Sequence, residues 1–426
     1  MPQLTKKLNA GMPVDVPSVD ETLDTRLGRI GRILIIVTGG TICMEYSGEK
    51  NSLRPIKSLD SLRNLPELQD ASLPKFDIES WPQLVDSSDI RVTDWVRICQ
   101  VIRDQYGQYD GFVVLHGTDT MAYSACILSF MLENLGKPVV FTGSMLPLCH
   151  IQTDGRKNLA VAMMIAGFSQ ITEVVVLFGS KVMRGNRTVK VDCDAMEAFD
   201  SPKYVPLGKV GVDVTIDEQL LMTPSKRGFR IFTNMLVDNV IVVKLTPMFP
   251  ASILRNVFST DVRPFGVILE LFGSGTAPCG DAKFVDVVKD GIAAGIDIVC
   301  ITQCPKGTCS LLTYENGVRL YDMGVIEGKD LMAEAAFAKL AYLFGKGYKG
   351  PKLRMLMEKS LRGELTEDIH KVTGQSSLSI GSDVLPVNKS ARNLLASKPE
   401  EHTMIMYESA TSKCKPEHSS IVPDDM

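Results

Sequence analysis

Residues 33–41 read Ile33-Leu34-Ile35-Ile36-Val37-Thr38-Gly39-Gly40-Thr41. Five consecutive aliphatic residues leave no face for water, so the run predicts a strand covered on both sides, the condition of a parallel sheet. The Thr-Gly-Gly-Thr that ends it predicts a turn at the carboxyl end of that strand, where open α/β sheets bind ligands. Runs of the same kind recur at Gly111-Phe112-Val113-Val114-Leu115, Pro138-Val139-Val140-Phe141 and Glu173-Val174-Val175-Val176-Leu177-Phe178. Between them the spacing turns helical: Ala122, Ala125, Cys126, Leu128, Met131, Leu132 and Leu135 form one apolar stripe over 121–135, with Gly136-Lys137-Pro138 as the expected stop.

This alternation predicts an α/β fold. A larger N-terminal α/β domain with a mostly parallel sheet is expected over 29–235. A smaller Rossmann-like C-terminal α/β domain is expected over 265–365, with strands at 266–271 and 297–301 and helices near 282–294 and 331–344. The less regular stretch 236–264, with Pro247, Pro250 and Pro264, reads as a linker. Residues 1–28 read as a polar leader and 366–426, rich in Ser, Lys and Glu, as an irregular tail.

Composition narrows the class of work. The chain has 426 residues, 45% hydrophobic and 23% charged, with a formal net charge of -4, so no excess positive field draws nucleic acid or anionic lipid. A small-molecule substrate is expected, with neither nucleic acid nor membrane as partner. The first 26 residues lack the uninterrupted apolar core of a secretory signal. The longest apolar stretch, 159–178, is broken by Gly167, Ser169, Gln170, Thr172 and Glu173, unlike a membrane span. The cytosol is therefore the expected compartment. The ten cysteines lie scattered in apolar surroundings and read as reduced core thiols. Cys300, Cys304 and Cys309 cluster without a zinc-like spacing or a nearby His, so no metal is expected there.

The candidate chemistry lies where strands run into small hydroxyl-bearing loops: Thr38-Gly39-Gly40-Thr41, His116-Gly117-Thr118-Asp119-Thr120 and Thr142-Gly143-Ser144-Met145. Loops at the same ends of parallel strands converge on one rim. A threonine hydroxyl attacks a carbonyl carbon only when a neighbouring group takes its proton, and glycines beside it let backbone N–H groups approach the developing oxyanion. Thr41 and Thr118 have that setting. Taken singly, each motif is an ordinary strand-to-helix turn, with Thr120 as N-cap of the helix at 121, and Asp86-Ser87-Ser88-Asp89 is a capped turn before a helix at 93–103.

Together they are not ordinary. Thr38-Gly39-Gly40-Thr41-Ile42, Asp86-Ser87-Ser88-Asp89, His116-Gly117-Thr118-Asp119-Thr120-Met121 and Arg184-Gly185-Asn186-Arg187-Thr188-Val189-Lys190 closely resemble, in that order, the L-asparaginase family and its cytosolic type I branch, over about residues 30–360. The resemblance implies Thr41 as nucleophile and Thr118, Asp119 and Lys190 as a second threonine–acid–lysine group that moves protons. It implies Asp119 as partner of the substrate ammonium and Ser87, with Ser88 beside it, as partner of the substrate carboxylate. No tyrosine falls at the usual place after Thr41, where the chain reads Ile42-Cys43-Met44-Glu45-Tyr46-Ser47. Tyr314, in Leu312-Thr313-Tyr314-Glu315-Asn316-Gly317, resembles the tyrosine that type I relatives supply from the C-terminal domain, with Tyr46 the alternative by proximity.

Arg255, in Ala251-Ser252-Ile253-Leu254-Arg255-Asn256, and Cys304, in Thr302-Gln303-Cys304, match residues of a second, allosteric asparagine pocket in some type I relatives, although Val189 stands where those have threonine. The function implied is hydrolysis of L-asparagine to L-aspartate and ammonia through a threonine acyl-enzyme, with no metal or organic cofactor, in a homodimer or homotetramer. The alternatives are the ammonia-supplying amidase subunit of a transfer-RNA amidotransferase, and a non-catalytic amino-acid sensor.

Overall fold

The computed structural model describes residues 31–47, 53–56, 60–259 and 265–367. The leader at 1–28 and the tail from 368 onward lie outside the described residues. The first sheet begins with β1 (Arg32–Gly39) and β2 (Lys75–Val85) and continues through β3 (Gly111–Leu115), β4 (Val139–Thr142), β5 (Val174–Phe178), β6 (Lys181–Arg184), β7 (Gly208–Val210) and β8 (Val214–Ile216). Its order is β8-β7-β6-β5-β4-β3-β1-β2. The first five strands are mutually parallel: residues 40–74 carry the chain from β1 to β2, and helices α1 (Val92–Gln105), α2 (Met121–Met131) and α3 (Gly155–Phe168) carry it back between the next strands in turn. From β5 to β6 the chain turns instead through Gly179, at φ 58, and the remaining strands are antiparallel.

The aliphatic runs divide by parity, as a strand buried on both faces requires. Leu34, Ile36, Phe112, Val114 and Phe141 face a core shared with α1 and α2. Ile33, Ile35, Val37, Val113 and Val140 face a second core under α3.

A second, four-stranded parallel sheet is built from β9 (Val240–Lys244), β10 (Gly266–Leu271), β11 (Asp297–Thr302) and β12 (Ile326–Glu327), in that order. Helices α4 (Ala251–Ser259) and α5 (Ala282–Ala293) cover one face. After α6 (Glu315–Met323), helix α7 (Ala333–Gly345) covers the other face and also packs on α2, so one apolar core joins the two sheets. Helix α8 (Gly350–Met357) follows.

Two expectations about the course of the chain change. The stretch 236–264, read as a linker, contains β9 and α4: Val240-Ile241-Val242-Val243 is itself a strand sequence, and its prolines fall after the strand, where they do not interrupt the ladder. Helix α2 ends at Met131, not at Leu135, because Leu132–Glu133 pairs with Arg230–Ile231 and the buried Glu133 carboxylate is met by Lys346 at 2.7 Å, by the Tyr342 hydroxyl at 2.5 Å and by Arg230. A buried carboxylate needs such partners.

Among the described residues, Cys149, Cys193 and Cys304 are exposed, against the expectation of core thiols. Cys300 and Cys309 are buried with their Sγ atoms 3.5 Å apart. No described helix is long and apolar enough to cross a membrane.

Candidate functional site

The carboxyl ends of β1 and β3 are laced together before any catalytic group is placed. The Thr38 hydroxyl donates to the Leu115 carbonyl at 2.8 Å, so this threonine serves the strand ends. Gly40, at φ 86, then brings the chain against the next loop so closely that a Cβ on it would lie 2.4 Å from the Gly117 Cα. Only glycine fits a site with both a positive φ and a backbone at that distance. A Cβ on Gly117 would lie 2.5 Å from the Ser87 Oγ, so the Thr41, Thr118 and Ser87 loops meet at two glycines.

Thr120 completes the junction. Its hydroxyl makes no cap to α2 but donates to the Ser87 carbonyl at 2.7 Å, tying the Ser87 loop to the Thr118 loop. Asp86 accepts from the Ser88 N–H at 3.0 Å and hydroxyl at 2.9 Å, leaving Ser88 exposed on the turn while Ser87 is buried. Thr41 opens a short 3-10 turn, Thr41–Cys43, and is half-buried. Burial pushes the neighbouring Cys43 thiol up to about 12, so it stays protonated and unreactive.

Lys190 arrives from the other side of the rim. Val189–Lys190 pairs with Phe199–Asp200, and the Lys190 Nζ donates to the Thr118 Oγ1 at 3.0 Å and the Asp119 Oδ1 at 2.7 Å. Thr118 is buried, and the Asp119 side chain is 68% exposed. The three groups therefore form a network whose carboxylate edge opens to solvent.

Behind it lies a chain of hydrogen bonds that the reading of motifs did not single out. The Trp95 indole N–H donates to the Ser124 Oγ at 2.8 Å, Ser124 lies 2.9 Å from the His116 Nε2, and the His116 Nδ1 lies 2.7 Å from the Gly117 carbonyl. A carbonyl only accepts, so Nδ1 carries the proton and Ser124 donates to Nε2. Burial lowers the His116 pKa to about 4, keeping the ring neutral. No periodicity marks such a chain, because its members come from a loop and two helices.

The remaining candidates stand apart. Tyr46 is 45% exposed and its ring lies 6.4 Å from that of His150. Tyr314 is 58% exposed, immediately before α6. Among the described residues of the chain, neither phenol hydrogen-bonds Thr41. Arg255 faces Asp290 at 3.8 Å across α4 and α5, while the exposed Cys304 donates its N–H to the Thr302 hydroxyl at 3.0 Å, so each is met by a different group. No group of three or more described His, Cys, Asp or Glu residues is placed to hold a metal ion.

Residues 32–222 match the model of the N-terminal asparaginase domain, and 239–357 match that of the glutaminase/asparaginase C-terminal domain. The chain belongs to the asparaginase family. The second asparaginase domain thus begins one residue before β9, in agreement with the strand found in the supposed linker.

Among asparaginase relatives, the L-asparaginase of Dirofilaria immitis is 39% identical over 78% of this chain and 60% of its own length. This chain therefore spans about 60% of that relative. The L-asparaginase 1 of Escherichia coli strain K12 is 39% identical over 79% of this chain and 98% of its own length. The crystal structure of L-asparaginase I from Vibrio cholerae superposes with a TM-score of 0.72 at 36% identity, covering 80% of this chain and 100% of that one. The names of the two bacterial proteins agree with the kinship to the type I branch expected from the motifs.

Proposed function

We propose that the protein hydrolyses the side-chain amide of L-asparagine to L-aspartate and ammonia through an acyl-enzyme on Thr41. The observation that carries this reading is the Lys190–Thr118–Asp119 network, standing where the Gly40 and Gly117 backbones bring Thr41 to the same rim. The Thr41 Oγ bonds to the amide carbon, and backbone N–H groups near Thr118 receive the oxyanion. The carbon–nitrogen bond then breaks, and the nitrogen leaves as ammonia with the proton given up by Thr41. Water, deprotonated through the Thr118–Lys190 network, adds to the ester and breaks its carbon–oxygen bond, restoring the Thr41 hydroxyl and releasing aspartate.

Substrate binding follows from charge. Asp119, with its open carboxylate edge, takes the α-ammonium, and Ser87, with Ser88 beside it, takes the α-carboxylate. Tyr314 is the phenol that assists Thr41, meeting it across a domain or subunit boundary in a homodimer or homotetramer. The enzyme works in the cytosol, and Arg255 and Cys304 belong to a second asparagine pocket completed on assembly.

The test is steady-state ammonia release from free L-asparagine and L-glutamine, with mass spectrometry of the quenched enzyme for an acyl group on Thr41. Turnover of free asparagine with that adduct supports the reading. Binding without turnover would favour the sensor, and ammonia production only with a transfer-RNA partner would favour the amidotransferase subunit.

A further inference from the structure

Among the described residues Arg187 is the largest of the fully buried side chains, 1% exposed, and it lies three residues before Lys190. Its charge is met by distant groups: Nη1 donates to the Asp330 Oδ2 at 2.8 Å, Nε to the Gly363 carbonyl at 2.7 Å and Nη2 to the Thr366 Oγ1 at 3.2 Å. Two of these three partners belong to residues 360–366, which return from the second domain and lie against the turn Gly185–Arg187.

That returning segment is itself held rigidly. Glu364 pairs with Lys339 at 2.6 Å with both side chains 0% exposed, and its carboxylate also accepts the Leu361 N–H at 3.0 Å and the Arg362 N–H at 2.6 Å. Thr366 donates its N–H and its hydroxyl to Asp330 at 2.9 and 2.6 Å. Gly363, at φ 76, lies so close to Arg184 that a Cβ would be 2.7 Å from the guanidinium Nη1. Buried ion pairs add little net stability over apolar packing, but they enforce one geometry, since each charge is costly without its partner.

Between Arg187 and Lys190 the chain has little freedom. The Thr188 hydroxyl is buried and donates to the Arg184 carbonyl at 2.8 Å, and Val189–Lys190 is paired with Phe199–Asp200. No glycine intervenes. A shift of Arg187 is therefore carried to the Lys190 backbone rather than absorbed.

We propose that residues 360–366 form a strap that sets the place of Lys190 through Arg187, with Arg187 and Thr366 as positioning residues for proton transfer. This rests on the functional reading above. A misplacement of about 1 Å in a reacting group costs up to roughly a hundredfold in rate, so a loosened strap reduces turnover without removing any group that touches substrate. Substrate binding is left nearly unchanged, because the Asp119 and Ser87 backbones belong to loops the strap does not touch and the Asp119 contact to Lys190 is open to water and screened.

The experiment is a double-mutant cycle on the full chain. Thr366→Val keeps the side-chain volume and removes the hydroxyl bonds to Arg187 and Asp330; Thr366→Ser keeps the hydroxyl. Thr366→Val is expected to lower kcat about tenfold with KM within about twofold, and Thr366→Ser to restore kcat. In a Lys190→Met background Thr366→Val is expected to change the residual kcat by less than about twofold, because the lysine it positions is absent. Gly363→Ala, which disturbs the strap through its Cβ against Arg184 and through its positive φ, is the second variant if Thr366→Val fails to fold, and the same dependence on Lys190 is expected. Wild-type kcat in both variants, or the same loss in both backgrounds, overturns the strap while the functional reading stands. Absence of asparagine turnover in the wild type overturns both.

Discussion

Replacing Lys190 by methionine tests the centre of the proposed mechanism, because the structure separates its effect on chemistry from its effect on folding. The ammonium makes two contacts, at 3.0 Å to Thr118 and 2.7 Å to Asp119, and methionine keeps the apolar stem while removing both. Asp119 is 68% exposed, so water screens the ion pair and its loss costs under about 1 kcal/mol of stability. For a chain of this size that is a fall in Tm of no more than about 3 °C. Loss of a proton-transfer group costs about a hundred- to ten-thousandfold in rate, or roughly 3–5 kcal/mol on the barrier. The expected outcome is a fall of that size in kcat, read by coupled ammonia release, beside a nearly unchanged melt. A kcat within about threefold of wild type in folded protein would refute the role of Lys190. A collapse of Tm would refute the claim that the pair contributes little to folding.

Thr41→Ala is expected to nearly abolish turnover while asparagine still binds; more than about a tenth of wild-type kcat would sink the nucleophile assignment. Asp119→Ala is expected to raise KM as well as lower kcat, since a charged hydrogen bond to the ammonium of about 1.5–3 kcal/mol goes with it, and calorimetric affinity for asparagine equal to wild type would show that Asp119 does not hold the ammonium. Tyr314→Phe is expected to lose far more kcat than Tyr46→Phe; a large loss confined to Tyr46→Phe would reverse the assignment. Because burial holds the His116 pKa at about 4, the unfolded chain takes up a proton there first as pH falls. The stability this neutral ring contributes is complete above its unfolded pKa of about 6.5 and is lost between there and about 4, up to roughly 3 kcal/mol. Across that window, wild-type stability from denaturant melts is expected to fall more steeply with falling pH than that of His116→Gln, with the two pH slopes agreeing above about pH 7; equal acid sensitivity in both would exclude His116 as the source.

The strands, the three hydroxyl-bearing loops and the candidate threonines were legible because their signals are local. An aliphatic run such as 33–37 has few ways to hide from water, and Gly-Thr turns at the ends of such runs mark one edge of the sheet. The motif order pointed to the asparaginase family, which the two domain matches show. The reading failed where a local cue competed with a distant one. Prolines at 247 and 250 suggested a linker although β9 precedes them, and the apolar stripe carried α2 on to Leu135 although partners for Glu133 turn the chain at Leu132.

Residue types and their spacing by themselves determined the α/β class, the rim on which Thr41, Thr118 and Asp119 lie, and the family. Tertiary structure alone decided that Gly40 and Gly117 touch, that Lys190 reaches across seventy-odd residues of sequence to Thr118, and that a strap near residue 363 grips the turn before that lysine. The reason is physical: a strand or a turn is chosen by side chains a few residues apart. A buried charge is placed instead by whichever partners the fold brings within about 3 Å, and their distance along the chain leaves no period to read.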